Sequence, residues 1–121
     1  MAEKPQTLTL PLLVTRSLVI FPGNQQFIEA GRDFSINAIQ SSRNETDSLL
    51  FITCQKEANI ETPGVADIYN VGALCRIISC SERDKHLRIR VEVADIVNLT
   101  NIQIDNVNQY FVAEGVISNL P

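Results

Sequence analysis

The chain has 121 residues, of which 45% are hydrophobic and 20% are charged, and its net charge is −4 at pH 7. This length and composition fit one folded domain, residues 1–121, with its own core, and they exclude a disordered or membrane protein. The acidic charge repels phosphate backbones, so nucleic acid is not an expected partner.

The first thirty residues predict short strands separated by a turn. Strands are predicted at residues 7–14, 17–21 and 25–30. Pro11 and Pro22 cannot donate ladder hydrogen bonds, so we expect pairing near them to be confined to a sheet edge or broken by a bend. The Pro-Gly-Asn sequence at 22–24 predicts a reversal of the chain before the third strand.

Residues 31–42 are the helix candidate. Asp33 suits the first turn, and Ile36 and Ile39 share one face. Phe34 and Ala38 fall on nearly the opposite face, which makes Phe34 a candidate exposed aromatic residue for binding. The alternative is that Phe34 folds back on the preceding strand as a hydrophobic staple.

The remaining chain predicts a β-rich fold. Residues 41–47 and 55–67 are predicted loops, and strands are predicted at 49–54, 71–80, 87–97, 96–104 and 110–117. In the strand at 87–97, apolar residues alternate with charged ones, which indicates one core face and one solvated face. The sequence therefore predicts a mainly β fold with one α-helix, arranged as a small closed or half-closed barrel because closure removes strand edges.

The predicted hairpin tip at 81–86 carries mixed charge. Four basic residues are interleaved with three acidic ones there: Arg83, Lys85, Arg88 and Arg90 with Glu82, Asp84 and Glu92. This pattern favours an ordinary solvated surface, and the alternative is a local patch for an anion or a partner.

No pattern for catalysis, metal binding or nucleotide binding emerges from the residues. The five glycines are dispersed and no phosphate-binding loop sequence is present. Cys75 and Cys80 lie five apart on a predicted strand and should point to opposite faces, so a zinc site with His86 is not expected. Glu57, Glu61 and Asp67 are interpreted as solvated loop charges.

The compartment is predicted from the cysteines and from the absence of targeting segments. Three cysteines, Cys54, Cys75 and Cys80, cannot all pair within the chain, and no apolar signal segment follows Met1. No apolar run approaches the roughly 20 residues of a membrane-spanning helix. We therefore expect a cytoplasmic protein without membrane contact.

Several spaced motifs carry a resemblance to a known family. A P-L-L-x-x-R-x-x-V-x-[FY]-P signature is matched by Pro11, Leu12, Leu13, Arg16, Val19, Phe21 and Pro22. A Gly-Arg pair and a Gln-Lys pair are matched by Gly31, Arg32, Gln55 and Lys56. A P-G-x-x-D-[LIV]-[FY]-x-V-G element is matched by Pro63, Gly64, Asp67, Ile68, Tyr69, Val71 and Gly72. In this order they resemble the N-terminal, substrate-recognition domain of the ATP-dependent Lon protease family.

The resemblance implies a PUA-like pseudo-barrel that has no catalytic residues and no cofactor of its own. Such a domain helps to capture unfolded, damaged or degron-bearing proteins for protein quality control and to arrange subunits of a homohexamer. The helical bundle, the AAA+ ATPase with its ATP and Mg²⁺, and the Ser-Lys peptidase would lie outside this chain. The family's Val-Glu-Gly is replaced here by Val91-Glu92-Val93, which puts a bulge or sharp turn at this glycine in doubt.

Two groups of residues are predicted to matter. Candidate protein-binding residues are Asp33, Phe34, Asn37, Ile60, Val65 and Tyr69. The signature residues are expected to be scaffold, and Arg16 and Asp67 to pair or to cap loops: Pro11, Arg16, Pro22, Gly31, Arg32, Pro63, Gly64, Asp67 and Gly72. The alternative function is a stand-alone adaptor or ligand-binding barrel of the same family, with no protease attached and a concave ligand pocket.

Overall fold

The computed structural model describes residues 6–16 and 25–117. Within these ranges the chain forms strands β1 (Gln6–Thr15), β2 (Gln25–Ala30), β3 (Leu49–Cys54), β4 (Val71–Arg83), β5 (His86–Asp105) and β6 (Tyr110–Ile117), helix α1 (Asp33–Glu45) and a 3₁₀ turn (Val65–Asp67). The predicted strand at 17–21 and the predicted turn at 22–24, which includes Pro22, lie outside the described residues.

The strands close into a small barrel. β1 pairs in parallel with β3 and antiparallel with β6, and β3 pairs with β4. β5 pairs with β4 and also with β6, which completes the ring, while β2 pairs with the first half of β5. The predicted fold class, mainly β with a helix and a closed barrel, is confirmed.

Strand β5 is one bent strand of 20 residues, so the prediction of two separate strands at 87–97 and 96–104 was wrong. Between Val93 and Asp95 the register with β4 skips Ala94, and a second irregularity follows Thr100 in the pairing with β6. Bulges bend a strand and increase its twist. The bend lets β5 leave β2 and reach β6. A bulge is therefore present at Ala94, directly after Val93, although Val93 replaces the glycine of the family pattern.

At Pro11 the continuous strand β1 pairs with β6 but not yet with β3, so the predicted edge is present there and the predicted break is not. β1 pairs with β6 from Gln6 to Leu12 and with β3 from Leu12 to Thr15. Pro11 therefore precedes the ladder with β3, and its missing N–H falls outside that ladder. The strand changes partner at the proline and is not interrupted by it.

Helix α1 starts two residues later and ends three residues later than predicted, so part of the predicted loop at 41–47 is helical. Arg32 is the N-cap residue and has an extended backbone. Ala38 and Ile39 are both fully buried, although the helical period placed them on opposite faces. The reason is that α1 packs against β1, β3 and β6, which cover a wide stripe of its surface.

Two apolar clusters form the core, and strands β1 and β3 are buried between them. The first cluster includes Leu13, Ile39, Ile52 and Ile89, whereas the second includes Phe51. The second also takes alternate residues of β1 and β6: Leu10, Leu12, Val14, Phe111 and Ala113. Since neighbouring residues of β1 enter different clusters, this strand is apolar at every position from Leu10 to Val14.

Cys75 and Cys80 contact the same cluster, so the prediction that they point to opposite faces was wrong. The ladder between β4 and β5 has an irregularity between Ile77 and Ser79, and the extra residue, Ile78, resets the alternation of side chains. Among the residues that the structure describes, no group of three His, Cys, Asp or Glu side chains could hold a metal ion.

The three thiols are expected to differ in reactivity. Burial raises the pKa of the Cys75 thiol to about 12, and the thiolate is the reactive form. Cys54 and Cys80 are half-buried. We expect two thiols to react with a disulfide reagent in the native protein at pH 8, and the third only in denaturant. Mass spectrometry of the labelled peptides identifies them, and native labelling of Cys75 at the rate of Cys54 would contradict this expectation.

Candidate functional site

Three anchoring hydrogen bonds of the long loop between β3 and β4 converge on one carbonyl group. The Ile60 carbonyl accepts hydrogen bonds from Gln55 Nε2 at 2.8 Å, Arg16 Nη1 at 3.4 Å and Arg32 Nη1 at 3.5 Å. Gln55 is 2% exposed. A buried amide group is stable when it is hydrogen-bonded, so Gln55 and the loop stabilise each other. Residues directly adjoining the ends of β1, α1 and β3 thus hold a segment with little regular structure of its own.

Asp67 and Arg16 both cap this loop, but they do not pair with each other. The Asp67 carboxylate accepts a hydrogen bond from the Gly64 N–H at 2.8 Å, and the Asp67 carbonyl accepts one from the Lys56 N–H. Arg16 forms an ion pair with Glu61 at 3.0 Å. Because Glu61 is largely exposed, this pair contributes little to stability.

Two signature glycines make close contacts, Gly31 with an exposed side chain and Gly72 with the backbone. A β-carbon at Gly31 would lie 2.4 Å from the His86 ring, and one at Gly72 would lie 2.6 Å from the Ile52 carbonyl oxygen. These glycines serve contacts within the barrel and do not form a loop of free N–H groups around a phosphate.

An apolar cavity of about 140 Å³ opens where α1, the long loop and the turn between β5 and β6 meet. We call it the Phe34 notch, and it is lined by Phe34, Thr62, Pro63, Ile104, Gln109, Tyr110 and Phe111. The Phe34 and Phe111 rings are perpendicular, with their centroids 5.5 Å apart. Pro63 is buried, whereas Ile104 at the rim is 43% exposed. Apolar cavities of about 150 Å³ hold a benzene-sized group, so the notch suits one apolar side chain.

The structure separates the six predicted protein-binding residues. Phe34 lines the notch, and Asn37 does not line it, although its side-chain amide donates to the carbonyl of the lining residue Gln109 at 3.0 Å. Ile60 is half-buried and is held through its carbonyl group. The other three are exposed and do not line the notch: Asp33, Val65 and Tyr69.

Phe34 matches neither of the two predicted placements. It is half-buried, and it packs on Phe111 of β6 rather than on the preceding strand. Ile104, Gln109 and Phe111 were not predicted as site residues, because their local pattern is that of ordinary strand and turn residues. Barrel closure alone brings them to Phe34, so no sequence signal identified them.

Four other depressions are larger than the notch, and two of them are lined by exposed apolar side chains. One of about 640 Å³ lies beside Arg16 and Phe27. The other, of about 340 Å³, lies on the sheet beside Cys54, Val71 and Ile96. We call it the Ile96 face.

The charged hairpin formed by β4 and β5 is a mixed surface in the structure. Glu29 of β2 lies directly opposite Arg88, and the Arg88 guanidinium lies 4.5 Å from the centroid of the Phe27 ring. Acidic and aromatic neighbours on β2 therefore partner this basic residue.

In the described ranges, no helix is long and apolar enough to cross a membrane.

Comparison with known proteins identifies relatives over most of the chain. A family model described as the ATP-dependent protease La (LON) substrate-binding domain matches residues 9–119. The Lon protease of Heliobacterium modesticaldum is 38% identical over 68 residues, which are 56% of this chain and 8% of that protein. The Lon protease of Buchnera aphidicola subsp. Baizongia pistaciae is 30% identical over 113 residues, 93% of this chain and 14% of that protein.

Solved structures agree on the fold. The N-terminal domain of a Mycobacterium avium complex Lon protease superposes with a TM-score of 0.71 at 13% identity, covering 94% of this chain and 56% of that one. The Lon N-terminal domain protein from Xanthomonas campestris gives 0.63 at 16% identity, covering 89% and 58%. The chain spans about a tenth of the length of the curated relatives it matches. Since the family model covers nearly the whole chain, the protein belongs to the family of Lon protease substrate-binding domains.

Proposed function

We propose that this domain captures unfolded or degron-bearing proteins for an ATP-dependent Lon protease by binding their apolar side chains in the Phe34 notch. The observation that carries this proposal is an aromatic-lined cavity, formed by three separate elements, with exposed apolar residues at its opening. Ile104 is 43% exposed at the rim, and Val107 in the adjacent turn is 87% exposed. Unfolded proteins expose apolar side chains that folded proteins bury, so such a site distinguishes the two.

The rest of the proposed activity belongs to a longer parent protein in the cytoplasm. ATP and Mg²⁺ would act at its ATPase part, peptide bonds would be cleaved by its Ser-Lys peptidase part, and hexamer formation would supply several copies of the notch. Several weak sites in one assembly bind an extended polypeptide far more tightly than one site does. The stand-alone adaptor alternative gains no support from the relatives, which are Lon proteases.

A matched pair of substitutions on β5 tests the site. We expect Ile104→Ser to weaken binding of a fluorescein-labelled, reduced and carboxymethylated α-lactalbumin about tenfold, because removing one apolar contact of about 1.4 kcal/mol changes the dissociation constant by that factor. Ile96→Ser is the control, since Ile96 is 42% exposed on the same strand but lies on the Ile96 face. Fluorescence anisotropy measures the affinity, and the melting temperature checks folding.

The outcomes separate the two surfaces. Loss of binding in Ile96→Ser with normal binding in Ile104→Ser would move the site to the Ile96 face and contradict the proposal. Phe34→Ser is a poorer probe, because the half-buried ring contacts Phe111 and its removal is expected to lower stability together with binding. Ile104 avoids this problem because substitutions of exposed side chains usually change stability little.

A further inference from the structure

Arg32 occupies a position from which it reaches both walls of the Phe34 notch. It is the residue before α1, two positions ahead of Phe34, and its guanidinium carbon lies 4.7 Å from the centroid of the Phe34 ring. A guanidinium over an aromatic face is attracted by the negative potential of the ring. This contact restrains the ring that forms the helix wall of the notch.

The same guanidinium group holds the loop wall. Arg32 Nη1 donates to the carbonyls of Ile60 at 3.5 Å and Glu61 at 3.4 Å, which directly precede Thr62 and Pro63 in the notch lining. Arg32 Nη1 also donates to the side-chain carbonyl of Gln55, and Nη2 donates to the Val14 carbonyl at 3.2 Å. One planar group is thus fixed by β1 and by Gln55, and it contacts both walls.

Charge and shape at this position call for arginine. Burial, and then the positive charge of Arg16, lower the pKa of Arg32, but a guanidinium starts so high that it stays charged at neutral pH. Its five N–H donors lie in a rigid plane, so it can donate to several acceptors while its central carbon lies over the Phe34 ring. A lysine ammonium is a point charge on a flexible stem and cannot do both.

We propose that Arg32 is a positioning residue that sets the width of the Phe34 notch, and with it the preference of the domain for larger apolar side chains over small ones. This inference rests on the proposed function of the notch. Arg32 does not line the cavity, so it acts on a bound side chain through the two walls that it holds.

Arg16 provides a matched control for Arg32. It donates to the Ala58 carbonyl at 2.8 Å and shares the Ile60 carbonyl with Arg32, so it anchors the same loop. Arg16 forms these hydrogen bonds and its ion pair with groups of the long loop, whereas Arg32 makes the contact with the Phe34 ring. Comparing Arg32→Lys with Arg16→Lys therefore separates control of the notch from general loosening of the loop.

The test uses two unstructured peptides that differ only in leucine or alanine at their apolar positions, titrated into the 121-residue protein and followed by amide chemical shifts in NMR. The ratio of the two affinities measures discrimination by the notch. We expect this ratio to fall about fivefold in Arg32→Lys and to stay within about twofold of wild type in Arg16→Lys. General destabilisation would weaken both peptides together and leave the ratio unchanged.

A wild-type measurement keeps the inference falsifiable if Arg32→Lys does not fold. The guanidinium resonances of Arg32 are expected to shift when the leucine peptide binds, and those of Arg16 to shift less. A preserved ratio in Arg32→Lys, an equal fall in both variants, or unmoved Arg32 resonances would overturn the inference about Arg32. If wild-type protein shows no preference for leucine and Ile104→Ser binds normally, the proposed function of the notch fails instead.

Discussion

Replacing Phe51 with alanine is expected to lower the free energy of unfolding by about 3–5 kcal/mol, the range for removal of a buried aromatic side chain. Phe51 is fully buried in β3 and belongs to the second cluster, together with residues of β1, β5 and β6. Its ring covers Gly115 so closely that a β-carbon there would lie 2.4 Å from Phe51 Cζ. The loss is a fifth or more of the stability of a typical small domain, about 5–15 kcal/mol.

Urea unfolding followed by circular dichroism measures this loss. Phe27→Ala is the control, because Phe27 is 60% exposed and its truncation is expected to change stability by under about 1 kcal/mol. Gly115→Ala examines the same contact from the other side. It should destabilise the wild-type protein, and it should be better tolerated when Phe51 is also replaced by leucine. Equal effects of Phe51→Ala and Phe27→Ala would contradict this account of the core.

Gly72→Ala is expected to destabilise the protein by about 1–3 kcal/mol through overpacking. The added β-carbon would lie 2.6 Å from the Ile52 carbonyl oxygen and 3.1 Å from Leu99 Cδ1. Ile52 is paired with Ala73 in the ladder between β3 and β4, so its carbonyl cannot retreat without disturbing that pairing. The strain at Gly72 therefore arises against backbone, whereas the strain at Gly115 arises against a side chain.

This difference predicts opposite outcomes for rescue. Shortening Phe51 should relieve Gly115→Ala, but Leu99→Val should not relieve Gly72→Ala, because the closer contact is with the Ile52 carbonyl. Thermal unfolding of the single and double variants gives the two coupling energies. Restoration of wild-type stability in the Gly72→Ala, Leu99→Val double variant would show that the backbone contact is unimportant.

Local patterns predicted most strands but misjudged their continuity. The alternation from Leu87 to Val93 correctly indicated a strand with one core face, yet β5 continues through the bulge at Ala94 to Asp105. A bulge shifts the alternation of side chains between the two faces of a strand, and no characteristic residue type marks its position, as at Ile78 in β4. For the same reason the spacing of Cys75 and Cys80 gave the wrong faces.

The candidate site was predicted only in part. Phe34 was selected from its helical position, and Pro63 was selected as scaffold, but the two form one cavity with Ile104 and Phe111. These residues are separated by tens of positions along the chain. The role of Arg32 was equally invisible, because its partners come from β1, the long loop and α1.

The spaced motifs were enough to predict the family by resemblance, and apolar periodicity was enough to predict the mainly β class, since it acts through local backbone geometry. Tertiary structure alone decided where the notch lies, which residues line it and which group joins its walls. Closure of β5 onto β6 and the bends at the bulges determine which residues, distant along the chain, come into contact. Neither event leaves a periodic signal in the chain.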